Sequence, residues 1–313
     1  MSILNSALVR EHQNVLSKVY RTYVGSLVEF EYKTEPETAV GGPCIKRTFN
    51  YTGTKVIGEI VEEDTWTQTM EDAADGSSLE QPYASIAFDG TNDSILWGAG
   101  VYNLTYNQAF SFSLWVKFGT LSNEQCIISC SGTNLGWQIT KVNTTNLVRF
   151  RMCNTATTND LLIAGNTALQ LSTWHHIAVT INGGTSATTK IYVDGTLQAN
   201  AITYNNLTTT PSYAGLFMQF GAKGSANFLS GLLDNVLFSN AVLTQDEVTE
   251  LYNGGTALMP ADFSGYASVA SAWKLGESAD AIGSGGVVDV KGLYNGTMTN
   301  MLTTNIVANY PGE

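Results

Sequence analysis

Charge is what this sequence has least of. Only 13% of its 313 residues are Asp, Glu, Lys or Arg, about half the usual share in soluble chains. Its polar surface must therefore come from Asn, Thr, Ser, Gln and Gly. The balance is 15 Lys and Arg against 27 Asp and Glu, a net charge of −12, and no basic run stands out. Without that footprint, nucleic acid and anionic membranes are not expected partners. No stretch of about 18 apolar residues occurs, so no membrane span is expected. Arg10 and Glu11 come too early for a secretory leader, so none is expected either.

Cysteine and histidine are scarce as well. The four cysteines are Cys44, Cys126, Cys130 and Cys153. Cys126 and Cys130, in "QCIISC", would lie about 13 Å apart along a strand, too far to bridge. They read as buried free thiols rather than as a disulfide or a zinc site. Two of the three histidines are adjacent in "STWHHIAVTINGGTSATTKIYVDGTLQAN" (172–200). Strand alternation puts Trp174, His176 and Ala178 on one face and His175, Ile177 and Val179 on the other. The two rings therefore cannot converge on one ion, and the pair reads as architecture. There is also no Gly-x-Ser-x-Gly elbow, P-loop or His-Glu-x-x-His.

What is present divides near residue 80. "SALVREHQNVLSKVYRTYVGSLVEF" sets Leu8, Val15, Val19 and Val24 near helical spacing, which predicts a helix over 5–22. "GGPCIKRTFNYTGTKVIGEIVEEDTW" (41–66) alternates like a hairpin with "TGT" as its turn, and "MEDAADGSSLEQP" (70–82) reads as an acidic linker. From Tyr83 onward short runs follow one another, among them "FSFSLWVKF", "CIISC", "GWQITKV", "LVRFRM", "WHHIAVTI", "LFMQFGA" and "FLSGLLDNVLFS". Gly, Asn, Thr or Ser bound most of them, a strand–turn rhythm that predicts a mostly β sandwich or jelly roll. One short helix is expected in "LTQDEVTELYNGG", with Thr244 as N-cap, Glu247 completing a capping box, and Val248, Leu251 and Tyr252 on one face. "YNGT" predicts a turn at Asn295-Gly296.

The motifs from 83 to 253 resemble the laminin-G-like domains of the concanavalin A-like lectin/glucanase superfamily. The resemblance rests on "IAFDGTNDSILW", "FSFSLWVKF", "WHHIAVTINGGTSATTKIYVDG" and "GLLDNVLFSNAVLTQDEVTELYNGG", matched in order and spacing. It implies a jelly-roll sandwich over 81–313, with 261–313 as a C-terminal extension packing on it and 1–80 as a separate α+β element. The tail "AWKLGE…VVDVKGLYNGTMTNM" resembles segments that accompany such domains in structural proteins of tailed bacteriophages. "GGPCIKRTFNYTGTKVIGEIVEEDTW" is similar to small phage virion proteins. Together these imply a non-catalytic virion protein: a capsid decoration, head-fibre or tail-associated chain at the particle surface. Residues 1–80 would contact other virion proteins and assemble homo-oligomers, and the sandwich would be displayed for adhesion to host or mucus glycans.

The superfamily name also raises glycoside hydrolysis, which needs two carboxylates about 5–9.5 Å apart. Relatives that hydrolyse glucans carry Glu-x-Asp-x-Glu on one strand, and this chain has no such pattern. A glycoside hydrolase and a secreted cellular lectin remain the rival readings. Calcium is the better chemical candidate, because hard cations take Asp, Asn and carbonyl oxygens and related sandwiches hold one structural ion. Asp89, Asn92 and Asp93 in "FDGTND", with Asp234 and Asn235 in "LLDNV", are the expected ligands. The alternative is that Asp89 and Asp194 simply make Asp-Gly turns. For glycan stacking the candidates are Trp97, Trp137, Tyr204 and Tyr213, while Trp115 and Trp174 are assigned to the core.

Overall fold

The computed structural model describes the backbone of residues 18–24, 27–34, 43–52 and 55–65. It also describes residues 84–312 apart from 103, 105–106, 133–134, 156–158, 184, 209–212, 214, 277–279 and 281–284. The chain divides into two compact units, Met1–Pro82 and Tyr83–Glu313.

In the first unit β1 (Lys18–Val24), β2 (Leu27–Thr34), β3 (Pro43–Thr52) and β4 (Lys55–Thr65) form an antiparallel meander in that order. Strands β3 and β4 pair from Pro43↔Thr65 to Thr52↔Lys55, as the hairpin expected over 41–66 requires. The helix expected over 5–22 is corrected where it can be seen: 18–22 belong to β1, paired with β2. The β-branched and aromatic residues of "KVYRTYV" suit a strand better than a helix. The rest of that segment and the linker 70–82 lie outside the described residues.

The second unit is a two-layer antiparallel sandwich, mostly β as the sequence rhythm predicts. Its strands are β5 (Ser85–Asp89), β6 (Ser94–Ala99), β7 (Ala109–Phe118), β8 (Gln125–Ser131), β9 (Gly136–Lys141), β10 (Leu147–Thr155) and β11 (Asn159–Ala168). There follow β12 (Trp174–Asn182), β13 (Lys190–Val193), β14 (Thr196–Leu197), β15 (Ala201–Asn205), β16 (Phe217–Phe220) and β17 (Ser230–Ser239). Helix α1 (Gln245–Tyr252) precedes β18 (Val269–Trp273), β19 (Thr297–Thr299) and β20 (Ile306–Val307). The first sheet runs β14-β13-β12-β7-β17-β5-β20, with β18 paired to the distal half of β17. The second runs β15-β11-β10-β9-β8-β16-β6-β19. Residues 261–313 thus do more than pack on the sandwich: β19 and β20 complete an edge of each sheet.

Alternation decides which side chains meet between the sheets. Along β7, Phe110, Phe112, Leu114, Val116 and Phe118 enter the shared core, where they meet Trp137, Ile139, Phe150, Met152 and Phe220 of the second sheet. The intervening Ser111, Ser113, Trp115 and Lys117 turn to the outer face of the first sheet. That face has its own smaller core, in which Ala178, Tyr192 and Leu237 lie under Val248 and Leu251 of α1 and under Phe263 and Val269. The helix starts as its sequence predicts, with Thr244 and Glu247 forming both bonds of a capping box. It ends at Asn253, in the left-handed region.

Three sequence expectations are revised here. Trp115 is buried outside the central core, stacked on Tyr252 at 5.8 Å, and Trp174 is only half-buried, donating to Asn309 Oδ1. The turn near "YNGT" falls earlier, where Gly292 N–H donates to Asp289 O, and Gly296 instead bridges Val287. Glycine is needed at 296 because a Cβ there would stand 2.5 Å from Trp97 Cζ2.

Candidate functional site

The two sheets differ in what covers their outer faces. That of the first sheet lies beneath α1 and the segment that follows it. That of the second carries a polar row set by strand register. Reading across directly opposed residues, the row is Tyr204, Leu162, Arg151, Gln138, Ser129, Gln219 and Leu96. Directly opposed antiparallel residues share a face, and their sequence neighbours Phe150, Met152, Trp137, Ile139, Ile128 and Met218 are all in the shared core. The row therefore faces away from the sandwich interior.

A small depression, with room of its own for about one water molecule (~10 Å3), opens on this face, lined by Gly132, Leu135, Gly136, Gln138, Arg151 and Lys223, with Trp137 and Cys153 also in its lining. The loop after β16 folds back over the row: Ser129 Oγ donates to Ala222 O at 2.7 Å and Gly224 N–H donates to Gln219 Oε1 at 2.7 Å. That fold-back carries Lys223 to the pocket. Arg151 donates to Asp160 Oδ2 at 2.6 Å. Burial works against the guanidinium charge, but the Asp160 hydrogen bond and the surrounding negative charge, that of Asp160 included, together outweigh it and raise the Arg151 pKa above its ordinary value. One strand step away, Arg149 pairs with Glu124 at 2.6 Å. Burial pushes the Cys153 thiol up and keeps it protonated.

Several polar atoms here are buried without a hydrogen-bond partner. Gln138 is 4% exposed, and its Oε1 has no donor. Asp160 Oδ1 lacks a donor, and Arg151 Nε and Arg149 Nε lack acceptors. Buried unpaired groups of this kind cost on the order of 1–3 kcal/mol each. Two of them, the acceptor Gln138 Oε1 and the donor Arg151 Nε, belong to side chains that line the pocket.

The candidate residues from the sequence lie mostly elsewhere. Trp97, Trp137 and Tyr213 are buried at 2%, 0% and 0% exposure, which rules them out as stacking platforms. Trp97 Nε1 donates to Tyr294 O, and Tyr213 Oη donates to Cys153 O. Tyr204, at 37% exposure, keeps an accessible ring, at one end of the polar row. The five calcium candidates do not converge. Asp89 stands opposite Ser230, so Asp234 lies four residues away, about 13 Å along the strand.

Asp89 Oδ1 is taken up by the N–H groups of Thr91, Asn92 and Asp93, and Asp93 Oδ2 by Asp89 N–H and Asn305 Nδ2. Asn235 sits at the bulge of β17 with φ of 41°. Among the described residues no three His, Cys, Asp or Glu side chains form a metal cluster. The Asp89 and Asp93 oxygens build a turn, and the five candidates do not gather around one ion. The Asp194-Gly195 pair likewise makes the β13–β14 turn, with φ of 50° and 73°.

The histidines behave as strand alternation predicts. His176 faces the covered side beside Trp115 and Tyr252, while the His175 ring contacts Asp194 Oδ2 at 2.8 Å. Because His175 Nε2 accepts from Gln170 N–H, its proton is on Nδ1. Cys126, Cys130 and Cys153 are free and buried.

The arginines were missed at the sequence level, although "RFR" in "LVRFRM" already showed two cations alternating with a core phenylalanine.

The two-layer antiparallel fold is that of a jelly-roll β-sandwich. A family model described as the Concanavalin A-like lectin/glucanases superfamily (Laminin_G_3) matches residues 89–249, and the chain belongs to that superfamily. Among solved structures, a candidate carbohydrate-binding protein from Bacteroides ovatus ATCC 8483 is similar with a TM-score of 0.53 at 12% identity. That match covers 97% of this chain and 82% of the other. The heptameric SAP-like pentraxin of Limulus polyphemus gives 0.41 at 15% identity, over 56% and 84%. The CBM40 domain of the Ruminococcus gnavus IT-sialidase, bound to α2,3-sialyllactose, gives 0.43 at 11%, over 54% and 97%. Among curated protein sequences nothing matches.

Proposed function

We propose that this protein is a non-catalytic glycan-binding module whose site is the outer face of the second sheet. The observation that carries the reading is Gln138: a 96% buried amide (4% exposed) whose Oε1 has no donor, at the edge of a pocket lined by Arg151 and Lys223. A sugar hydroxyl donates to that oxygen and accepts from a neighbouring cation, and Tyr204 adds an aromatic ring at the end of the row. Superfamily membership and the likeness to the B. ovatus protein support the reading at the level of fold.

A glycan array probed with the full chain tests it. The chain is expected to bind at least one glycan, and Gln138→Leu to lose that binding while its melting temperature stays within a few degrees. No bound glycan, or unchanged binding by Gln138→Leu, would overturn the reading.

The resemblance of 41–66 and of the tail to phage virion proteins supports a setting at a particle surface. There the N-terminal unit joins other virion proteins, and many copies side by side multiply weak affinities by avidity. Deleting residues 1–80 should abolish incorporation into particles, and normal incorporation would contradict it.

A further inference from the structure

We infer that the pocket selects a sugar bearing a carboxylate, with Lys223 and Arg151 as the groups that hold it; this rests on the glycan-binding reading above. Cations are rare in this chain, and only eight Lys and Arg lie between residues 84 and 312. Three of the eight, Arg149, Arg151 and Lys223, stand on the same face of the second sheet. The two nearby acids are already engaged: Glu124 pairs with Arg149 and Asp160 with Arg151. Lys223 has no acidic partner among the described residues and leaves the pocket with one net positive charge.

The remaining polar atoms have the matching polarity. Arg151 Nε is a buried donor without an acceptor. A carboxylate accepts from both Arg151 and Lys223 in charge-assisted bonds, roughly twice as strong as neutral ones. Gln138 Oε1 is an acceptor without a donor, and it takes a hydroxyl of the same ring. A bare anion leaves Gln138 unsatisfied, and a neutral sugar leaves the Lys223 charge unpaired, so the pair of requirements specifies an acidic sugar. The backbone holds Lys223 in place: Lys223 and Ala226 exchange N–H···O bonds at 3.0 and 3.1 Å.

The test measures affinity of the full chain for matched ligands: oligogalacturonate against its methyl ester, sialyllactose against lactose, and acetate alone. The acid is expected to bind about tenfold more tightly than its neutral partner, and acetate to bind far more weakly than either acid. Lys223→Gln should reduce the preference to less than about threefold, and added salt should erode the preference in the unaltered protein. Equal binding of acid and ester, or an unchanged preference in Lys223→Gln, would overturn the inference and leave the glycan-binding reading standing. If neither pair binds, the inference fails, and the glycan-binding reading fails with it only when the array also shows no bound glycan.

Discussion

On the covered face of the first sheet, Ser113 Oγ lies 2.8 Å from His176 Nε2. The other ring nitrogen, Nδ1, is buried and without a partner. A protonated ring would carry two N–H groups, and only one of them has an acceptor. Burial thus lowers the His176 pKa from 6.5 to about 4, only partly opposed by the Asp194 charge.

This predicts a pH dependence of stability. The fold favours the neutral ring, so between pH 6.5 and about 4 the unfolded chain binds more protons. The stabilisation is complete above pH 6.5 and is lost as pH falls towards 4, by roughly 3 kcal/mol. Denaturant midpoints from pH 7 to 4 should fall more steeply in the unaltered protein than in His176→Gln. Parallel curves would show that His176 does not carry this dependence.

Asp160 should matter to folding as well as to the pocket. Asp160→Ala leaves the Arg151 guanidinium without its carboxylate, and the expected loss is about 2–3 kcal/mol. That is below the cost at a fully buried pair, because the Arg151 side chain keeps 22% of its surface exposed. Urea unfolding of the single variant and of Asp160→Ala/Arg151→Met measures it. The double variant should recover part of the loss.

Lys141 is a buried ammonium that donates to Leu121 O at 2.5 Å and Asn123 O at 2.6 Å. Burial lowers its pKa, opposed by the charge of Glu124. Lys141→Met removes both donors and strands two carbonyls, for an expected cost of about 2–3 kcal/mol. Amide exchange should accelerate first around 121–125, which that side chain ties down.

Calcium should have no effect. The carboxylates of Asp89 and Asp93 are occupied by N–H donors, and Asp234 lies on the far side of the β5–β17 pairing. Melting curves with millimolar Ca2+ and with chelator should therefore superimpose. A rise in melting temperature with Ca2+ would show that these oxygens converge on an ion after all.

Much of the fold was legible because it is local. The "FSFSLWVKF" alternation specified β7 and its two faces, and Thr244 with Glu247 specified the start of α1. Strand parity alone separated the His175 and His176 rings. What was not legible depends on pairing between distant segments. Trp97 and Trp137 read as surface aromatics until register placed them on the inward face, beside Phe220 and Phe112. The Arg151–Gln138–Ser129–Gln219 row joins four strands drawn from nearly 90 residues of sequence, and no short window displays it. At the N-terminus the near-helical spacing of Val15 and Val19 competed with the β-propensity of "KVYRTYV", and across 18–22 the strand won.

Chemical-shift mapping of the isotopically labelled full chain, titrated with the array's best oligosaccharide, tests the central claim most directly. The account predicts perturbations clustered at Gly132, Gln138, Arg151 and Lys223, including the Gln138 side-chain amide and Arg151 Nε–H. Shifts confined to other surfaces, with Gln138 and Arg151 silent at saturation, would contradict it.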